Sequence, residues 1–208
     1  MARPKSDIST RILHAARERF LLEGVDGASL RQIAQDAGTN IGMVYYYFKT
    51  KDELFLAVVE EIYAGLLVDL ETTLADDVDP EARLLRAYQR VAAMSEDELT
   101  LVRLLLREAL VSSKRLEHIA ERFRKGHLPL VAKTLFEGVQ SGTFRSDLHP
   151  AALFASTFAL AIMPQLVLRL LEASSLPVAK LLPQRSEAAA MCHEVLTRGI
   201  GNVRNKNT

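Results

Sequence analysis

Residues 29–48, Ser29-Leu30-Arg31-Gln32-Ile33-Ala34-Gln35-Asp36-Ala37-Gly38-Thr39-Asn40-Ile41-Gly42-Met43-Val44-Tyr45-Tyr46-Tyr47-Phe48, decide how the rest of the chain is read. Ser29 with Gln32 predicts a capping box, the serine oxygen accepting from an early backbone N–H while the glutamine reaches back. A short helix then runs to about Ala37. Gly38 allows a turn that a side chain would resist, and Asn40 can cap a second short helix reaching about Tyr47. Ala34, four residues before Gly38, puts a small side chain where the helices cross, and Val44, six after it, supplies an apolar anchor. Ile33 and Ala37 complete the contact. Two short helices arranged this way behind a supporting helix make a helix-turn-helix.

Working outward, Ile8, Ile12, Ala16 and Phe20 recur every four residues, so Asp7 to Glu23 reads as an amphipathic helix ended by Gly24. Thr50 with Glu53 forms a second box, followed by the stripe Leu54, Val58, Ile62, Leu66, Leu70 and Leu74 of one long helix, Thr50 to Ala75. Asp79 before Pro80, and Ser95 with Glu98, start helices near Pro80–Met94 and Glu96–Val111. Lys114 to Ser141 reads as helix with a kink or break near Gly126, because Pro129 removes a donor and crowds the turn before it. Pro150 opens an apolar helix to about Glu172 with a second kink at Pro164, and a last helix runs from Gln184 to about Arg204. Period-two alternation is missing, so the fold class is all-α, about nine helices in total.

The 208 residues carry no net charge, with 49% hydrophobic and 25% charged, as expected of a chain that buries a substantial core. The first 51 residues hold eight Lys and Arg against five Asp and Glu, so a small basic excess sits beside the helix-turn-helix. Cys192 is the single cysteine, which rules out an intrachain disulfide and argues against a structural zinc site. A reducing cytoplasm fits, and the polar start lacks the apolar run of a secretion signal. Residues 151–171 approach the ~20 apolar residues of a membrane span, but Ser156, Thr157, Pro164, Gln165 and Arg169 interrupt them. The expectation is a helix buried on several sides, in the core or against a partner. No phosphate-cradling glycine loop, metal cluster or activated nucleophile is recognisable, so neither an enzyme nor a cofactor is expected.

Gly38 through Phe48, followed by Lys49-Thr50-Lys51-Asp52-Glu53-Leu54, closely resembles the TetR family of bacterial regulators in its recognition helix and the start of its fourth helix. The resemblance runs from about Ser9 to Leu56. Gly138 through Pro150, with Gly142-Thr143-Phe144-Arg145 and Asp147-Leu148-His149-Pro150, looks like that family's junction between its seventh and eighth helices. The family often has Val, Ser and Lys where Thr39, Asn40 and Ile41 precede Gly42, which leaves the base preference open. The resemblance implies an N-terminal DNA-binding domain, residues 1–49, and a helical effector-binding and dimerisation domain, residues 50–208.

A recognition helix offers its N-terminal residues to base edges while its flanks hold phosphates. Ile41, Gly42 and Met43 fall on the base-facing turn, where the apolar pair can touch a thymine methyl. Arg31 can reach a guanine or a phosphate. Ser29, Asn40, Tyr45, Tyr46, Tyr47 and Lys51 offer donors to phosphate oxygens, while Phe48 reads as a core aromatic and Tyr47 has that reading as an alternative. Arg3 and Lys5 form either an arm in a neighbouring groove or an unattached basic terminus.

One such domain touches too little DNA for tight binding, so a homodimer with recognition helices ~34–36 Å apart on a near-palindromic operator is expected. By resemblance the dimer is a four-helix bundle of the last two helices of each chain, for which Ala152, Ala155, Phe158, Ala159, Ile162, Leu166 and a buried Cys192 are candidates. The middle helices would enclose a small-molecule effector, with Arg103, Arg107, His118, His127, Phe136 and Gln165 as possible contacts. The implied function is a repressor that leaves its operator when effector favours a tilted fourth helix. A helix-turn-helix protein without effector, in an architectural or corepressor-like role, is the alternative.

Overall fold

A computed structural model describes residues 7–75, 78–111 and 114–200, and among them ten α-helices and no strand. They are α1 (Asp7–Gly27), α2 (Leu30–Asp36), α3 (Ile41–Tyr47), α4 (Lys51–Thr73), α5 (Pro80–Ala92), α6 (Glu96–Val111), α7 (Lys114–Arg124), α8 (His127–Gln140), α9 (Pro150–Glu172) and α10 (Arg185–Ile200). Nine were expected. Gly126, with φ −112° and ψ −118°, is too far from helical geometry to be crossed, so α7 and α8 are separate helices. Pro129 is then accommodated in the first turn of α8, where its missing N–H costs nothing. Pro164 does not divide α9, and a short 3-10 turn at Pro177–Leu181 was not foreseen. Arg3, Lys5 and the end of the last helix beyond Ile200 lie outside the described residues.

Local capping explains most helix starts. Asp79 accepts from Glu81 N and Ala82 N at 3.0 and 3.1 Å. Ser95 and Glu98 exchange reciprocal bonds at 2.8 and 3.2 Å, and Thr50 Oγ1 accepts from Glu53 N at 3.0 Å. The box expected at Ser29 does not form: its side chain caps nothing, and α2 starts on a backbone bond from Ile33 N to Ser29 O at 2.9 Å.

The chain packs as two compact units that divide at Leu66 within α4. One contains α1, α2, α3, the first part of α4, and the α6–α7 pair. Its core includes Ile12, Ala16, Phe20, Ile33, Val44, Leu54 and Phe55, all fully buried, with Phe20 and Phe55 edge-to-face at 5.7 Å. Burying each large side chain contributes ~1.5–3 kcal/mol. The other unit contains the rest of α4 with α5, α8, α9 and α10, packed around Leu84, Tyr88, Val131, Leu135, Phe144, Leu153, Leu196 and Ile200.

Within the single chain, helix α9 is buried on one side, so the part of the expectation that places it wholly in the core is not met, while burial against a partner stays open. Only Leu153, Thr157, Gln165, Leu168 and Arg169 are buried. Of the polar residues that interrupt the apolar run, Thr157, Gln165 and Arg169 turn inward, Thr157 Oγ1 donating to Leu153 O at 2.9 Å, whereas Ser156 is exposed. Tyr88 Oη donates to Thr157 O (2.9 Å), Gln165 Nε2 to Arg185 O (3.3 Å) and Arg169 Nη2 to Met94 O (2.6 Å). Met163, Val167 and Leu170 face outward, the last 71% exposed. By length and composition α9 could cross a membrane, yet it packs against α5, α8 and α10 in one helical bundle.

Candidate nucleic-acid interface

The turn between α2 and α3 is held by two backbone bonds, Thr39 N to Ala34 O at 2.9 Å and Gly38 N to Gln35 O at 3.0 Å. This pairing is a Schellman motif, which requires a left-handed residue where Gly38 has φ +62°. Asn40 then caps α3, its Oδ1 accepting from Met43 N at 3.1 Å. Val44 and Phe48 point into the core. Their burial fixes the rotation of α3, so the opposite side carries Ile41, Gly42, Tyr45 and Tyr46, with both tyrosines 48% exposed. Met43 and Tyr47 are half-buried at the edges, and Tyr47 packs edge-to-face on Tyr46 at 5.1 Å.

Residues 29–48 hold one cation, Arg31, and one carboxylate, Asp36. Arg31 is exposed on α2 and Ser29 half-buried before it. Asp36 is bonded by Arg19 Nε at 2.6 Å, and the guanidinium holds its carboxyl below the usual carboxylate range. The surface is thus nearly neutral, made of hydroxyls, an amide, aromatic rings and apolar tips. Lys51 is employed within the protein: its Nζ donates to Asp26 O at 2.7 Å and Ala28 O at 3.1 Å, tying the start of α4 to the chain entering α2.

The six effector candidates divide between the units. Arg103 and His118 are exposed, and His118 Nδ1 lies 3.1 Å from Lys114 O. Arg107 serves α1, donating from Nη1 to Leu21 O at 3.0 Å. Its guanidinium lies so close to Gly24 that a Cβ there would come within 2.8 Å of Nη2, so glycine suits the position, and the non-helical backbone of Gly24 (φ +77°, ψ 167°) kinks α1 there. In the other unit, His127 lies 5.7 Å from the Phe158 ring, and burial pushes its imidazole down to about 4. Phe136 is exposed on the rim of a groove of about 460 Å³ shared with Leu135, Val139, Leu148 and Phe154. Gln165 is 2% exposed and its Oε1 has no hydrogen-bond partner.

Among the dimer candidates Ala152, Ala155 and Ala159 are exposed on the outer side of α9, while Phe158, Ile162, Leu166 and Cys192 are half-buried beside it. Sequence reasoning did not single out Arg115 and named Arg107 only as a possible effector contact, because each meets partners far away along the chain.

The sequence profile described as bacterial regulatory proteins, tetR family, matches residues 12–58, which span most of α1, the helix-turn-helix and the start of α4. An HTH-type transcriptional repressor of Streptomyces coelicolor is 30% identical over 151 residues, covering 72% of this chain and 73% of its own. The chain belongs to the TetR family. Within that family, the HTH-type transcriptional repressor NicS of Pseudomonas putida is 41% identical over 73 residues, 35% of this chain and only 34% of NicS. The TetR fold extends through both units: the crystal structure of the transcriptional regulator FadR from Bacillus subtilis in complex with stearoyl-CoA superposes with a TM-score of 0.70. That match covers 92% of this chain and 98% of FadR at 20% identity, so it speaks for the fold.

Proposed function

We propose that this TetR-family protein is a transcriptional repressor that binds a near-palindromic operator as a homodimer and leaves it when a small-molecule effector binds. One observation carries the reading: the side of α3 opposite its anchors Val44 and Phe48 is exposed and rich in neutral donors. Ile41, Gly42 and Met43 read base edges, and Arg31 reads a guanine or holds a phosphate. Ser29, Asn40, Tyr45, Tyr46 and Tyr47 contact the backbone, and Lys51, whose ammonium already donates to Asp26 O and Ala28 O, reaches it with its third N–H. Residues 1–49 supply this DNA-binding function and the rest of the chain supplies dimerisation and sensing, in the cytoplasm.

The dimer forms through the outer side of α9 with α10, where Ala152, Ala155 and Ala159 permit close approach and Ile162, Leu166, Phe158 and Cys192 flank it. Exposed Met163, Val167, Met191 and Val195 support this assignment, because water-facing apolar rows on two adjacent helices form half of a bundle core. The buried, unpartnered Gln165 Oε1 supports an effector that donates a hydrogen bond, since such a group costs ~1–3 kcal/mol when unsatisfied. Effector and operator oppose each other by the same factor in either direction.

Selection from random duplexes tests the reading. Enrichment of a two-fold site with half-sites about one helical turn apart is expected, with Ile41 and Arg31 substitutions altering the enriched bases. Recovery of no preferred sequence overturns it. A ligand panel including stearoyl-CoA, the molecule bound to FadR, then looks for release of the selected duplex.

A further inference from the structure

One guanidinium on α7 gathers both flanks of the helix-turn-helix. Arg115 donates from Nη2 to Asp26 Oδ2 and from Nη1 to Asp52 Oδ1, each at 2.9 Å, and from Nε to Glu108 Oε2 at 2.8 Å. Asp26 stands in the last turn of α1, where the chain enters α2, and Asp52 in the first turn of α4, where it leaves α3. Everything between these two aspartates is the reading head. Lys51 closes the same junction through the carbonyls of Asp26 and Ala28.

We propose that Arg115 is a positioning residue for DNA binding: by holding Asp26 and Asp52 together it fixes the pose of α3, which makes α6 and α7 part of the DNA-reading machinery. The planar fork of arginine reaches three separate carboxylates from three different nitrogens, whereas the three N–H donors of a lysine ammonium radiate from one atom and do not span the same separation. Arg115 is 8% exposed and Glu108 3%, so this anchored end is rigid. Burial opposes the charge, but the carboxylates outweigh it and hold the guanidinium protonated. The other two carboxylates are largely in water, and bridges to such groups contribute only about 0–1 kcal/mol of stability. Their effect is therefore on orientation. Three further arginines connect the same helices to the head: Arg17 to Asp97 (2.8 Å), Arg107 to Leu21 O (3.0 Å), and Arg122 to Glu60 (2.7 Å) while lying 4.8 Å over the Tyr63 ring.

This inference rests on the proposed DNA binding, and the sign of one measurement separates the two. Removing a carboxylate from a DNA-binding head should by charge alone strengthen binding or leave it unchanged. Losing a positioning contact weakens it. Affinity for the duplex selected by the wild type is measured at fixed salt for full-length wild type, Asp26→Asn/Asp52→Asn, Arg115→Lys and Asp52→Glu, beside thermal melts. The double variant is expected to bind roughly three- to tenfold more weakly with an unshifted melting temperature. Arg115→Lys should reproduce the loss, and the still-charged Asp52→Glu should retain most of the affinity. Wild-type binding together with an equal or tighter double variant overturns the positioning role alone. Absence of wild-type preference for any duplex overturns the regulator reading and this proposal with it.

Discussion

Replacing Gly138 by alanine should destabilise the protein, although alanine is the better helix former. Gly138 lies inside α8, and a Cβ built there falls 2.2 Å from both Cδ2 and Cε2 of Phe144. Carbon atoms rest comfortably at about 3.5–4.0 Å, so the ring must retreat by more than an ångström. It cannot do so freely, because Phe144 is 1% exposed within the core and its own N–H donates to Gly138 O at 2.8 Å. If the core absorbs the methyl, overpacking costs about 1–3 kcal/mol. If the ring is driven out, the loss approaches the ~3–5 kcal/mol of deleting a buried phenylalanine. Helix propensity offsets ~0.8–1 kcal/mol of either, leaving a net destabilisation of up to about 2 kcal/mol if the core absorbs the methyl and about 2–4 kcal/mol if the ring is driven out. For a chain of this size each kcal/mol lowers the melting temperature by about 2–4 °C. Thermal melts followed by circular dichroism, at one protein concentration, measure it. Adding Phe144→Leu to Gly138→Ala should cost less than the sum of the single changes, since the smaller side chain relieves the same overlap. A melting temperature for Gly138→Ala at or above the wild type would refute the reasoning.

Three more outcomes follow from the same geometry. Gly42→Ala should keep or raise thermal stability by up to ~1 kcal/mol yet weaken operator binding, because it puts a methyl on the outer side of α3, 3.0 Å from Asn40 Oδ1; unchanged affinity in a binding titration contradicts it. Asn40→Ala removes the cap on Met43 N and should cost about 1 kcal/mol, whereas Asn40→Asp should preserve the melting temperature. His127, pushed down to about 4 by burial, stays neutral in the folded chain while the unfolded chain takes up a proton below its ordinary value of about 6.5. Stability is therefore lost as pH falls from 6.5 towards 4, and His127→Phe should gain on the wild type across that window; parallel melting curves against pH would exclude the effect.

The features legible in the sequence are those encoded within a few residues. The four-residue spacing of Ile12, Ala16 and Phe20, the caps at Asp79 and Ser95, and Gly38 followed by Asn40 each specify their own neighbourhood, and the structure realises them. Ser29 shows the limit of that logic: the residue pattern of a capping box is present but the side chain makes no cap bond. Sidedness was less accessible. The average character of residues 150–172 is apolar, and only packing reveals that Thr157, Gln165 and Arg169 turn towards the core. Least accessible were the contacts of Arg115, which joins residues 63 and 89 positions away, and of Lys51, whose ammonium is satisfied by carbonyls 25 and 23 positions before it. No local periodicity records such pairs. They follow from which helix ends the tertiary fold happens to bring together.

The inside-out polarity of α9 bears on how such a chain behaves at low abundance. Met163 and Val167 face water in an isolated copy, and the proposed dimer would cover them. If that dimer is the DNA-binding form and dissociates at low abundance, mass action ties its concentration to the square of the free protomer's, so halving synthesis should reduce occupancy of an unsaturated operator by more than half. Gene dosage would thereby become an input to regulation alongside any ligand.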